Sequence, residues 1–325
     1  FYLFFRLFFY MENNTRRIFI KQAALAAAGL TLLPSFSLFA EEQKKFNFKI
    51  SLQQWSLHKA LFSGEISNLD FPSIAKTKYN IDAVEYVNQF FMDKANDTPY
   101  LNQLKQRCSD NGVKSVLIMV DQEGMLADKN NTLREQAVEN HYKWIEASKY
   151  IGGHAIRVNL HGDSNAKEWH EASVKSLSKL TAYAAKMDME ILAENHGTWS
   201  SNAAMMVKVM QEVNHKNCGT MVDFANFCVR REKGDLWESP CVDWYDKYKG
   251  VEELLPFAKG VSAKTFDFTE AGEESNSDFT RMLKLVKASS YRGYVGLEYE
   301  GSRLSEDEGI KASKKMLEKI RKELA

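Results

Sequence analysis

The strongest constraint in this chain is a rhythm. After Glu41, short runs rich in β-branched and aromatic residues alternate with longer runs whose apolar residues recur at helical spacing. The β-rich runs are 48–55, 83–88, 114–121, 155–161, 190–196, 219–226, 261–266 and 294–299. Between them, sets such as Leu101, Leu104 and Cys108, or Val174, Leu177, Leu180 and Ala184, draw single apolar stripes. Start signals agree with the helical runs. Pro72 suits a first helical turn after Asn68 or Asp70, and Ser305 has Glu308 three residues on. Eight strand-then-helix units in one stretch of this length predict a (β/α)8 barrel, in one domain over residues 41–325. An open doubly wound sheet is the rival, but the Gly-rich phosphate turns that mark such sheets are absent from the sequence. The connection from Val229 to Gly250 is long for a barrel loop and carries Trp237, Trp244 and Tyr245, which suggests a lid or a substrate wall.

Charge excludes one class of function. Lys plus Arg and Asp plus Glu both number 43 in 325 residues, so no net field draws in a nucleic acid or an anionic membrane. Cys108, Cys218, Cys228 and Cys241 match no zinc spacing. Four reduced thiols are the simpler expectation, with a Cys228–Cys241 bridge as the alternative in an oxidising compartment.

Residues 1–40 are expected to lie outside the fold. Phe1 to Tyr10 reads as translated upstream sequence before Met11, and ten residues are too few to span a bilayer. Arg16-Arg17, Phe19 and Lys21 precede an uncharged run through Leu33 and a small residue at Ala40. That order resembles a twin-arginine export signal. It implies a periplasmic or otherwise exported protein, cleavage near Ala40–Glu41, and only transient contact with the membrane.

Barrels carry their chemistry at the C-terminal ends of the strands. Those ends hold Gln54 and Trp55, Glu85, Asn159 and His161, Glu194 and His196, Asp223 and Asn226, Lys264, and Glu298 with Glu300. Several carboxylates at the ends of apolar strands repel one another unless a cation sits among them. Glu194, Asp223 and Glu298 therefore suggest a cation site. Oxygen donors favour Mg²⁺ or Mn²⁺, and an imidazole would widen the choice to Zn²⁺ or Co²⁺. Lys264 is the alternative source of positive charge, which would leave a metal-free site.

The segments AENHG, VDFAN and GYVGLEYEG, in that order, resemble the xylose isomerase-like superfamily of sugar isomerases and epimerases. The resemblance runs from Phe46 to about Leu324. It implies a metal held by Glu, Asp, His and Glu on the fifth to eighth strands. Glu194, Asp223 and Glu298 match three of these positions, while Ser262 stands where the histidine is expected. It also implies proton transfer next to a carbonyl of a sugar or keto-sugar, with Glu194 and Glu298 as base and acid. Lys264 or His196 would shuttle a proton or hold an oxyanion. Gln54, Trp55, Glu85, Asn159, His161 and Asn226 would bind the carbohydrate. Elimination or hydration on a 3-keto-glycoside by the same acid/base pair, and a non-catalytic sugar-binding barrel, are the competing readings. His58, His141, His154, His170 and His215 are given no chemistry. The sequence leaves self-association open.

Overall fold

The computed structural model describes residues 46–162 and 165–325. The expectations for residues 1–40, including the export signal, lie outside the described residues. The strands, in chain order, are β1 (Lys49–Gln53), β2 (Ala83–Val87), β3 (Lys114–Met119), β4 (Ala155–Asn159), β5 (Glu190–Glu194), β6 (Cys218–Asp223), β7 (Cys228–Arg231), β8 (Cys241–Trp244), β9 (Ala258–Thr265) and β10 (Tyr294–Tyr299). Eight of them form a closed parallel barrel in the order β1-β10-β9-β6-β5-β4-β3-β2. Closure is made by β1 against β10, with Lys49 opposite Tyr294 and Leu52 opposite Leu297. The (β/α)8 expectation is met.

The helices form where the sequence signals place them. Pro72 sits in the first turn of Phe71–Tyr79, where its missing N–H removes no bond. Ser305 and Glu308 close a reciprocal capping box on Glu306–Leu324. Leu101, Leu104 and Cys108 are the buried residues of Thr98–Asp110. Leu177, Leu180 and Ala184 are buried in the same way on Ala166–Ala185, against the barrel. Among the described residues, no helix is long and apolar enough to cross a membrane.

Two features differ from the sequence expectation. Most of the expected strands run one or more residues too far, because the chain leaves the sheet at Gln53, Asn159, Glu194 and Asp223 while polar residues continue into the loops. The long connection after β6 is also not irregular. It contains the antiparallel hairpin β7–β8, and Cys228 and Cys241 are joined by a disulfide across it. The expectation of four reduced thiols is thereby corrected, and Cys108 and Cys218 remain free.

The barrel interior is polar between β1, β2 and β10. Glu85 is buried and accepts hydrogen bonds from Ser51 Oγ and Gln53 Nε2. Gly296 makes room for them, since a Cβ there would lie 2.5 Å from Gln53 Nε2 and 3.0 Å from Glu85 Oε1. Burial pushes the Glu85 carboxyl up to about 7 against the pull of its two donors.

Candidate active site

The loops beyond the strand ends are tied together before they reach the cleft. Asn195, just past β5, spends its side chain on β6. Its Nδ2 donates to the carbonyls of Asp223 (3.0 Å) and Asn226 (3.2 Å), and its Oδ1 accepts from Asp223 N (2.8 Å). Asp223 Oδ1 then accepts from the backbone N–H of Ala225 and Asn226, both at 2.8 Å, and so shapes the turn after β6. This explains mechanically why AENHG and VDFAN occur together: the asparagine of one motif clamps the backbone of the other. Asp223 Oδ2 is buried and has no hydrogen-bond partner.

Five acidic and two cationic side chains meet at this end of the barrel. Arg157 Nη1 donates to Asp121 Oδ1 at 2.7 Å, and Arg157 Nε lies 2.8 Å from Glu194 Oε2. Lys264 Nζ lies 3.6 Å from Glu298 Oε2 and 3.2 Å from Glu300 Oε1. Arg157, Glu194, Asp223, Lys264 and Glu298 are all at most 5% exposed. At such burial a lone charge is expensive, and its partners decide its state.

The protonation states follow from these neighbours. Burial raises the Glu194 carboxyl to about 7, Arg157 draws it down, and Asp223 pushes it up again. Burial drives Glu298 well above the ordinary carboxylate range, with Lys264 opposing and Glu300, Asp223 and Glu194 adding to the rise. Asp223 is raised by burial as well. Burial works to raise Asp121 too, but Arg157 outweighs it, and the carboxylate stays well below its usual range. Burial also disfavours the Lys264 ammonium, but the surrounding acidic groups, Glu298 when ionised and then Glu300, Asp223 and Glu194, outweigh it and hold the ammonium well above its ordinary value.

A single hydrogen makes the Glu298 assignment concrete. Ser262 Oγ lies 3.0 Å from Gln53 Oε1 and 3.2 Å from Glu298 Oε2. Gln53 Nε2 is turned to Glu85, so Gln53 Oε1 is an acceptor and takes the one Ser262 hydrogen. With that hydrogen on Gln53, a proton on Glu298 satisfies the Ser262–Glu298 contact, in line with the direction in which burial drives this carboxyl.

Beside Glu194, across the β4–β5 pairing, Asp121 Oδ1 accepts from Asn159 Nδ2 at 2.6 Å, and Asn159 Oδ1 lies 2.9 Å from His196 Nδ1. Asn159 Oδ1 only accepts, so His196 carries its hydrogen on Nδ1 and presents a bare Nε2. Burial, with Arg157 and Lys264 nearby, keeps this imidazole neutral. His161 Nε2 donates to the His196 carbonyl at 2.8 Å.

These groups line one cleft of about 1010 Å³, to which Trp55, Asn159, His161, Glu194, His196, Asn226, Lys264 and Glu298 all contribute. Three of the expected site residues do not line the cleft. Gln54 is fully buried, and its amide is spent on Asn68 and on the backbone N–H of Val87. Glu85 sits inside the barrel beside Ser51 and Gln53, and Asp223 lies behind the cleft wall. The structure adds Asp121, which sequence reasoning did not single out, and gives Arg157, on the same strand as Asn159, the role of its ion-pair partner. Asp121 closes the third β-rich run, and the strand-end rule applied there would have found it. His58, assigned no chemistry from sequence, lines the cleft mouth and stacks on Trp55 with ring centroids 5.0 Å apart.

The side chains present do not fit the four-ligand metal centre that the resemblance implies. Glu194 and Glu298 each have an oxygen engaged by a cationic side chain, and Asp223 has one oxygen committed to its turn. The position of the expected histidine holds the hydrogen-bonded Ser262. Among the described residues, no group of three or more His, Cys, Asp or Glu is arranged to hold a metal ion.

Fold and cleft together define a (β/α)8 barrel with buried carboxyls at its strand ends facing one cleft. The chain belongs to the xylose isomerase-like TIM barrel family, whose pattern matches residues 75–320. No curated protein matches the sequence. Among solved structures, a D-tagatose 3-epimerase-like protein is similar at 18% identity and a TM-score of 0.62, over 85% of this chain and 98% of that one. A 3-keto-D-glucoside 4-epimerase from E. coli is similar at 16% identity and a TM-score of 0.55, over 85% and 99%. A xylose isomerase-like TIM barrel protein from Mycobacterium smegmatis, in complex with magnesium, has 12% identity and a TM-score of 0.62, over 87% and 97%.

Proposed function

We propose that this protein is a sugar isomerase or epimerase that moves a proton next to a carbonyl. The observation that carries the reading is a pair of buried carboxyls in one cleft, on the non-adjacent strands β5 and β10, held in different protonation states beside a buried ammonium. Glu194, at about 7, is ionised in a useful fraction of molecules near neutral pH and takes the proton from the carbon beside the carbonyl. The electron pair moves onto the carbonyl oxygen. Lys264, already charged and desolvated, stabilises the enediolate oxygen that forms. Glu298, protonated against Ser262, returns a proton to carbon and collapses the enediolate. Return to the opposite face of the same carbon gives an epimer. Return to the neighbouring carbon, with transfer between the oxygens, gives the isomer. His196, with its bare Nε2, accepts a substrate hydroxyl hydrogen.

In this proposal Lys264 and Arg157 supply the positive charge that the metal-bound reading assigns to a divalent cation. Export is also proposed. The Cys228–Cys241 disulfide supports it, because such bonds persist in oxidising compartments. That in turn favours an unphosphorylated sugar, keto-sugar or glycoside as substrate.

The test is solvent deuterium incorporation into a panel of sugars and keto-sugars, followed by NMR, with EDTA or with added Mn²⁺. Incorporation should persist in EDTA and vanish in Glu194→Gln and Glu298→Gln, each still folded by circular dichroism. Full exchange in both variants refutes the acid/base pair. Exchange that requires Mn²⁺ returns the divalent cation to the site. Loss of the C1 substituent from a 3-keto-glycoside, the group beta to its ketone, would identify elimination instead.

A further inference from the structure

The cleft is larger than one reacting ring requires. Its volume of about 1010 Å³ stands at the top of the roughly 300–1,000 Å³ typical of small-molecule sites. The groups assigned to proton transfer occupy only its floor, and the outer part is walled by the hairpin β7–β8, through Arg231, Trp237 and Trp244.

That outer part is where the protein leaves apolar side chains in water. Trp237 is 45% exposed, Trp244 60%, Met125 46% and Phe62 60%. The first three line the cleft, and Phe62 packs edge-on to Trp55, which lines it as well, at 5.9 Å. Exposed aromatics gathered around one opening mark a binding surface. The cleft lining also includes the amide of Gln122, itself tied to Gln89, and the hydroxyl of Ser302. Flat indole faces flanked by such groups suit a pyranose, whose C–H face packs on the ring while its hydroxyls reach the amides.

The platform is held in place without ligand. Trp237 lies against Gly197, where a Cβ would stand 3.2 Å from the indole, and Gly197 has a φ of 84° that favours glycine. The Trp237 ring is 4.6 Å from that of His196 and 5.9 Å from the Arg231 guanidinium. Arg231 is in turn fixed by the carbonyls of Leu236 and Ser239. The disulfide joins the strand bearing Arg231 to the strand bearing Trp244. Such preorganisation lowers the entropy lost on binding.

We propose that Trp55, Trp237 and Trp244 form a subsite for a second carbohydrate ring. The substrate is then a disaccharide or longer glycoside, with its reacting ring at Glu194 and Glu298 and the next ring among the tryptophans. This rests on the sugar-acting reading above.

The experiment is calorimetric titration of the full chain with matched pairs: glucose with cellobiose and maltose, galactose with lactose, mannose with mannobiose, xylose with xylobiose. At least one disaccharide should bind ten times more tightly than its monosaccharide. Trp237→Ala and Trp244→Ala should each cut that disaccharide's affinity about tenfold and leave the monosaccharide within threefold. Trp237→Phe should recover part of the loss, which a merely unfolded hairpin would not. Glu298→Gln should keep the preference for two rings, so failure of the chemistry and failure of the subsite are told apart. The proposal is overturned if no disaccharide binds more tightly than its monosaccharide, or if the tryptophan variants weaken both alike.

Discussion

Replacing Glu194 by Gln should make the protein more stable at pH 8 than at pH 5, relative to the parent. The Glu194 carboxyl is 3% exposed and titrates at about 7, against 4.5 for a free side chain. Its folded value is raised, so the native state holds more protons than the unfolded chain between these two values. Stability therefore falls as pH rises from about 4.5 to about 7. The whole gap corresponds to roughly 3 kcal/mol, of which about 2 kcal/mol falls between pH 5 and pH 8. Glutamine keeps the shape and abolishes the titration, and Arg157 keeps its bond to Asp121. Any packing change in the variant is present at both pH values and cancels in the difference. The assay is urea unfolding of parent and variant at pH 5 and pH 8, comparing the two free-energy differences. The variant should gain about 2 kcal/mol on the parent between the two conditions. An equal difference at both pH values, or a variant that loses ground at pH 8, would show that Glu194 is an ordinary ionised partner of Arg157. The base assignment would then fail with it.

Further outcomes follow from the same geometry. Deuterium exchange in the parent should rise with pH through about 7 as Glu194 ionises. In Arg157→Met the rise should move to higher pH, because Arg157 draws Glu194 down; a pH–rate profile checks both. Lys264→Met should slow exchange by about 100-fold or more, as expected when a preorganised oxyanion partner is removed. Gly197→Ala forces a side chain into a positive φ and against Trp237, so sugar affinity should drop and thermal unfolding should show a loss of about 1–3 kcal/mol. Reducing Cys228–Cys241 opens a short loop, should cost at most about 3 kcal/mol, and should expose residues 232–240 to limited proteolysis.

The sequence is a good guide to the barrel because each strand carries a dense apolar run. Leu52, Val84, Ile118, Ile156, Ile191, Val222, Val261 and Val295 are all buried within it. It is a poor guide to where strands stop, because His161, His196 and Asn226 look like continuations and are held instead by loop hydrogen bonds. The hairpin was read as loop because β8 is mostly exposed and carries no alternation. Partner choice was the least legible part of the site. Arg157 pairs with Asp121 and Glu194, from the β3 and β5 sides of its own strand. Which strand-end residues meet depends on how the strands stagger around the closed sheet, and no single run of sequence encodes that stagger. Gln54 illustrates the opposite case: a polar residue at a strand end whose bonds all turn inward.

The Asn195 amide separates the depth of the cleft from its rim. By fastening the turn after β5 to the end of β6, it sets the spacing of the acid-bearing strands from beneath. The hairpin above is stapled to itself through its own cysteines. Trp237 is where the two meet, because its ring packs on His196 and Gly197; under the proposed chemistry, substitutions at Trp244 or Met125 retune the rim, whereas one at Trp237 also reaches the floor.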